Sequence, residues 1–425
     1  MMNSRTAFVV IGLAVNLLTL ARGVVLMAWL DYAALGLIAL VQSVIMFGGM
    51  LHFGLLNGGY RLLCHAGTAY RQRVVNLAYT FFALLFAAFA LCAIAATALM
   101  DATEHQIAAG LTAVGAIATL VRAWMINEMV ALGKLGPVNA INAISIAASL
   151  AALAFLWLDP AMIGILSIIL QPLAFVAVAY FTRKVIRPAG AWWSKRLVRL
   201  VLRAGFLVFL TGIALQLNTQ MERWYVGSHL GLESLGRLYL AFLFLTLFQM
   251  VPTLLDQVFL PNVVKAHKAS RLTLVRREIR LLLAIYIVYC AAAITGVWVF
   301  AAPILEFILP RYGDDLHWVK LLVPGLVIFA LSNPFALVFN VLIDYRWYAW
   351  AYGAGTLATA AAFGSAIALE RVLDLDQVTI LRSAVFGLIG LVLTVGSLLL
   401  TARHREFRPL GKLHAEPGPH SPTLP

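Results

Sequence analysis

The sequence predicts an all-α polytopic membrane protein: about twelve transmembrane helices in two six-helix lobes, with both termini cytoplasmic. Three observations carry this expectation. The 425 residues are 63% hydrophobic and only 12% charged, whereas soluble domains are about half apolar and a quarter charged. Apolar runs recur at lengths that suit a hydrocarbon core of about 30 Å, which takes roughly 20 residues of helix to cross. The basic residues crowd alternate links between those runs, as expected when Lys and Arg fix orientation.

The runs lie near 7–30, 33–57, 75–99, 106–131, 138–158 and 161–182, and then near 199–226, 234–261, 280–308, 317–343, 347–370 and 380–402. The first is read as a retained span, because no small-residue cleavage site precedes the second. The links after even-numbered spans are basic, with Arg71, Arg73, Lys184, Arg196, Arg277 and Arg346 among their residues. The opposite links hold only Arg311, Lys320, Arg371 and Arg382, and carry acids such as Asp31, Asp101, Asp159, Asp314 and Asp315. This bias predicts cytoplasmic termini. It also accounts for the net charge of +13 through topology and contact with membrane lipids, so nucleic acid is not an expected partner. The three cysteines have no CxxC spacing and read as small buried hydrophobes.

The longest basic link divides the chain into an N-terminal lobe over 1–182, a cytoplasmic interfacial linker over 183–198, a C-terminal lobe over 199–402 and a disordered Pro-rich tail over 403–425. Trp192-Trp193 followed by SKRLVRLVLR suits an amphipathic piece in the head-group region, or a plain connector with a Trp anchor. The halves read as parallel repeats at an offset near 200 residues: YAALGLIAL begins the second span and LESLGRLYL the eighth, aligning Gly36 with Gly236. Transporters built from such repeats place their substrate between the halves.

The ALG at 34–36, the FGLLNGG exit at 53–59, SLGRLYLA at 234–241, VPTLLDQVFLP at 251–261 and APILEFILPRYGDDLHWVKLLVPGLV at 302–327 resemble the multidrug/oligosaccharidyl-lipid/polysaccharide exporter superfamily. Within it the chain looks most like the Wzx-type flippases of polysaccharide biosynthesis. That resemblance covers nearly the whole chain and implies two lobes around a cavity open alternately to each side. It implies a lipid-linked oligosaccharide, attached to undecaprenyl diphosphate, as cargo. It also implies a polysaccharide polymerase and a chain-length regulator as partners.

Charges inside spans are costly, so each should face protein or water. Helical spacing places Asn16, Thr19, Arg22 and Gly23 on one side of the first span and Gln42, Gly49 and His52 on a stripe of the second. It likewise groups Gln216, Gln220 and Arg223 on the seventh, and Gln249, Thr253 and Asp256 on the eighth. Arg22 and Arg122 are deepest and are candidate diphosphate contacts, since guanidinium offers several fixed donors. The alternative is a structural pairing of each with a buried acid or carbonyls. Glu222 and Arg237 form either an outer gate or an interfacial ion pair with each other. Asp256 and Glu128, read as one turn from the cytoplasmic end, are candidates for ion coupling or for an inner gate held by the basic loops. Pro252 is the candidate hinge.

No G-x-x-x-x-G-K-[ST], HExxH, CxxC or GxSxG occurs, so a transporter without cofactors is expected rather than an enzyme. Two alternatives remain at this point. A polyprenyl-dependent glycosyltransferase or polymerase should have a large outer loop, which is missing from the sequence. A multidrug-and-toxin-extrusion exporter driven by H⁺ or Na⁺ should carry buried carboxylates to hold a cation, whereas the mid-depth charges here are arginines.

Overall fold

The acids of the acid-bearing links act as helix caps. Asp31 accepts a hydrogen bond from the Ala34 amide at 2.8 Å and starts the second helix. Asp159 does the same for Met162 at 3.0 Å, with Pro160 in the first turn. Each satisfies an amide left open at a helix start and places negative charge at the positive end of the helix dipole. On the opposite, basic face Ser194 caps the longest helix.

The computed structural model describes the backbone of residues 4–65, 67–98, 103–269, 271–342 and 346–403, and the side chains of somewhat fewer. The tail 404–425 and the side chain of Asp256 lie outside the described residues. The helices are α1 (Ser4–Trp29), α2 (Tyr32–Gly49), α3 (Leu55–His65), α4 (Thr68–Ala98), α5 (Thr103–Ala131), α6 (Leu135–Ala152) and α7 (Pro160–Phe181). The second half follows with α8 (Lys195–His229), α9 (Gly231–Arg237), α10 (Tyr239–Lys268), α11 (Leu272–Thr295), α12 (Ala301–Ile308), α13 (Leu316–Leu342), α14 (Arg346–Ala368) and α15 (Leu375–Arg403). Among the described residues ten helices are long and apolar enough to cross a membrane, or eleven spans when α9 and α10 are taken together.

Several spans differ from the sequence expectation at their ends. The second stops at Gly49, because Phe53 (φ 47°) and Gly54 (φ 91°) turn the chain into the separate amphipathic helix α3. The eighth is bent by 41° at Leu238 rather than at Pro252, through which α10 continues. α10 also runs to Lys268, so Asp256 lies about three turns from its end instead of one. The ninth span joins α11 to α12 through a π-turn over Gly296–Phe300, just ahead of Pro303, where a proline ring would crowd the preceding turn. The link before α8 ends at Ser194, so Lys195–Val198, expected in the linker, form that helix's first turn. Cys290 is buried, but Cys64 and Cys92 are exposed.

The two aligned glycines meet. A Cβ on Gly36 would stand 1.9 Å from the Leu232 carbonyl oxygen, and one on Gly236 would stand 1.8 Å from the Tyr32 carbonyl oxygen. Residues 32 and 232 are themselves offset by 200, so α2 and α9–α10 cross reciprocally, as about a two-fold axis. Only glycine permits backbones this close. A second pair of features follows the same offset. An apolar lateral cleft of about 520 Å³ is lined by Leu40, Val44, Phe47 and Leu51, and one of about 470 Å³ by Leu240, Phe244, Leu247 and Val251. Both open beside exposed apolar surface.

Replacing Gly36 or Gly236 with alanine should therefore lower the melting temperature in detergent, with a loss of about 1–3 kcal/mol or more, because a carbonyl oxygen cannot move aside as a side chain can. Gly12→Ala, which meets nothing within 4 Å, should leave it unchanged. Equal melting temperatures for all three variants would refute the close crossing.

Candidate functional site: interior arginines near the meeting of the halves

α1 carries Arg22 inward against its own half. Its Nη1 donates to Ser149 Oγ on α6 (2.9 Å) and, on α7, to the Ser167 carbonyl (3.2 Å) and Gln171 Oε1 (3.3 Å). The side chain is 5% exposed, and its Nη2 and Nε make no hydrogen bond among the described residues. Arg122 on α5 donates to Asn142 Oδ1 at 3.0 Å and lies 5.5 Å from the Phe175 ring centroid, with its buried Nε unpartnered. Arg22 and Arg122 lie within electrostatic range of each other.

Across the interface, Arg223 on α8 sits over the Phe242 ring at 4.3 Å and reaches the Ala39 carbonyl of α2 at 3.5 Å, leaving its Nε unpartnered. The Tyr239 hydroxyl, at the start of α10, lies within electrostatic range of both Arg22 and Arg223. Next to Arg22, Gly23 leaves room for Leu243 of α10. These residues bring α1, α8 and α10 to one locus between the halves.

The buried acids are committed elsewhere. Glu222 pairs with Arg382 of α15 at 3.1 Å, both side chains being almost fully buried. Arg382 also donates to the Asn218 carbonyl at 2.7 Å and lies over Phe386 at 4.7 Å. The expected Glu222–Arg237 pair is thus corrected: Arg237 is exposed and bonds Glu233 one turn away at 3.2 Å. A seven-residue helix and a bend carry Arg237 away from Glu222, while α15 passes alongside. Arg382 begins only eight positions into α15, so hydropathy assigns it to a link; the missed signal was its spacing with Ser383 and Phe386 on one helix face. Glu128, fully buried, accepts from the Ile186 amide through Oε1 and so ties α5 to the link before α8; its Oε2 is unpartnered.

The remaining candidates divide. Gln220 donates to Gln216 Oε1 at 3.2 Å, so these two form a ladder on α8. Gln42 is half-buried on α2, and Asn16 is exposed on α1. His52 lies past the end of α2 and accepts from the Gly54 amide at 3.1 Å, holding the break between α2 and α3.

At the end of the molecule opposite the basic links, the halves are joined by an aromatic and cationic clasp that sequence reasoning did not assemble. The Arg311 Nη2 donates to the Leu30 carbonyl and to the Met27 carbonyl (3.0 Å), and its guanidinium lies 4.9 Å from both the Tyr32 and Tyr312 rings. Tyr312 donates to the Met27 carbonyl at 3.1 Å, and Tyr32 to the Arg311 carbonyl at 2.9 Å. Asp315 is buried at the edge of this clasp. Burial pushes its carboxyl up to about 6; the Tyr32 hydroxyl and the Arg237 and Arg311 charges oppose that rise, and Asp314 adds to it.

No protein-family model and no curated protein sequence matches the chain. Solved structures do. An inward-facing multidrug resistance MATE family transporter of the MOP superfamily aligns with TM-score 0.70 at 14% identity, covering 92% of this chain and 98% of that one. The lipid II flippase MurJ, in an inward closed conformation, aligns with TM-score 0.68 at 14% identity, covering 94% of each chain. A MOP superfamily transporter from Pyrococcus furiosus, whose binding pocket is described as having reverse polarity, aligns with TM-score 0.60 at 14% identity over 94% and 96%. The chain therefore has the MATE- and MurJ-like fold of MOP superfamily transporters.

Two outcomes check this geometry. Glu222→Gln should cost about 3–5 kcal/mol of stability by leaving Arg382 buried and unpaired, and adding Arg382→Met should recover most of it; melting curves of the cycle decide, and additive losses would refute the pair. For Asp315 the folded carboxyl is raised, so its favourable contribution is complete below its ordinary value and is lost as pH rises through about 6. The melting temperature of the wild type should fall between about pH 4 and pH 6 relative to Asp315→Asn, and parallel curves would refute the buried carboxyl.

Proposed function

We propose that this chain is a flippase of the Wzx kind. It carries an undecaprenyl-diphosphate-linked oligosaccharide from the inner to the outer leaflet of a bacterial inner membrane by alternating access, in polysaccharide biosynthesis. The observation that carries this reading is a group of three interior guanidiniums: Arg22 is buried, and Arg122 and Arg223 are half-buried with each Nε shut off from solvent. None forms an ion pair among the described residues, and Arg22 and Arg223 flank Tyr239 where the halves meet. An unpaired charge away from water costs several kcal/mol. A diphosphate supplies the missing anion, and the free donors Arg22 Nη2 and Nε suit its oxygens. A cationic drug would meet repulsion here, because Glu222 is held by Arg382 and Glu128 by the linker backbone.

In this reading the basic face is cytoplasmic and both termini lie there. Gln42, Gln216, Gln220 and Asn16 line the path with hydrogen-bonding groups for sugar hydroxyls. The clasp of Arg311, Tyr32 and Tyr312, with Arg237 at its edge 5.5 Å from the Tyr32 ring, seals the outer side while cargo loads from within. Glu222 braces that outer end through Arg382. Asp256 and Glu128 stand on the inner side, as ion-coupling or gating residues, and α10 flexes near Pro252 as the halves rock. A polymerase and a chain-length regulator take up the product.

Native mass spectrometry of the full chain in nanodiscs with a lipid-linked oligosaccharide tests the proposal. The wild type should retain the diphospholipid, and Arg22→Ala and Arg122→Ala should each weaken retention at least about tenfold, the scale of a charged hydrogen bond. Absence of diphospholipid binding, with saturable binding of organic cations that depends on Asp256 or Glu128, would overturn it in favour of a drug exporter.

A further inference from the structure

The first turns of α8 form a site that the transport path does not use. Lys195, Arg199 and Arg203 recur every fourth residue and so share one helix face. All three are exposed, and among the described residues none has a hydrogen-bond or ion-pair partner. Like charges at this spacing repel each other, so the stripe is stabilised by an anion. The helix cannot rotate to disperse it. On its other face a Cβ on Gly205 would strike the Gly54 carbonyl oxygen at 2.0 Å, and one on Gly58 the Val201 carbonyl oxygen at 1.9 Å. Arg61 also donates to the Ala204 carbonyl at 3.0 Å. α3 thus clamps α8 with its basic stripe outward.

Two adjoining cavities lie along this stripe. One, of about 530 Å³, is lined by Lys195, Arg199 and Arg203 together with Trp193, Leu202 and Phe206. The second, of about 300 Å³, has no polar lining and shares Trp193, Val198, Leu202 and Phe206 with the first, adding Phe53 and Phe81. A cationic compartment continues directly into a hydrocarbon compartment, with an indole at the junction. Trp favours the boundary between head groups and acyl chains. A free anion would use only the first compartment, and a neutral lipid would leave the three cations unanswered. We propose that this face binds an anionic phospholipid of the adjacent leaflet, its phosphate against Lys195, Arg199 and Arg203 and an acyl chain between Phe53, Phe81 and Phe206. Phe53 stands at the break between α2 and α3, and Trp193 in the link just before α8, so the lipid spans the seam where α3 of the first half packs on α8 of the second.

The test uses the delipidated full chain in detergent, titrated with phosphatidylglycerol or phosphatidylcholine and read by native mass spectrometry. Phosphatidylglycerol should bind with 1:1 saturation and clear preference. Arg199→Gln/Arg203→Gln should weaken it about 30-fold, from about 1 kcal/mol per interfacial cation. Arg183→Gln/Arg196→Gln, which removes the same charge outside both cavities, should not. Phosphatidylglycerol with brominated acyl chains should quench tryptophan fluorescence, and Trp193→Phe should remove that quenched component. Equal binding of the two lipids, equal loss in both double variants, or competition by inorganic phosphate with no acyl-chain quenching would each overturn the proposal. The proposal does not depend on the cargo, because none of its residues contacts Arg22, Arg122 or Arg223.

Discussion

Two helix starts cross with backbone against backbone, and much of the remaining arrangement is built around that contact. Gly36 lies on the Leu232 carbonyl while Gly236 lies on the Tyr32 carbonyl. Each half offers the same surface to the other, so the contact is self-complementary in the way a symmetric dimer interface is. It holds α2 close against α9–α10, with no room for a side chain between the two backbones. From there α1 and α8 must run alongside, which carries Arg22, Arg223 and Tyr239 to one locus. The lateral clefts around Leu40 and Leu240 follow as a related pair. The symmetry is broken at the rim, where the second half supplies Arg311 and Tyr312 and the first half supplies Tyr32 and two carbonyls of α1.

Charge in a medium of low dielectric then sorts the interior. Arg382 and Glu222 repay their loss of hydration mutually, and the Asn218 carbonyl takes a further donor. Such a pair holds α8 to α15 and specifies their register, since neither partner can remain buried alone. Arg22, Arg122 and Arg223 contact hydroxyls, amides, carbonyls and ring faces, and the one carboxylate within electrostatic range of Arg223, Glu222, is in contact with Arg382. Those neighbours lower the cost of burial without cancelling the charge. Positive charge is therefore concentrated near the interface of the halves, where Arg22 and Arg223 flank Tyr239. The same division explains why four arginines in comparable apolar surroundings fall into two kinds, one bracing the fold and three retaining unused donors.

Much of the fold was legible in the sequence. Membrane residence, the all-helical class, most spans and the 200-residue repeat could be read because each rests on local sums: hydropathy over about 20 residues, and a recurring pattern along the chain. Arg22, Arg122 and Arg223 were legible as charges within spans for the same reason, and the structure buries Arg22 and half-buries the other two. The break after Gly49 was not, because it depends on left-handed backbone at Phe53 and Gly54 that hydropathy does not register. Nor was α3, whose apolar residues read as a continuation of the span before it.

Partnerships were decided by tertiary structure. Glu222 and Arg382 are 160 positions apart in the chain and 3.1 Å apart in space, while the pairing that sequence proximity suggested, with Arg237, was undone by one bend. The Arg311 clasp joins a link of the second half to carbonyls at the end of the first helix. Transfer free energy belongs to each residue and adds along the chain, so the sequence by itself determined that this protein is a multi-pass, all-helical membrane protein. Electrostatic and hydrogen-bond energies fall off within a few ångströms, so only the packed helices decided which charges are answered by a carboxylate within the chain and which are not.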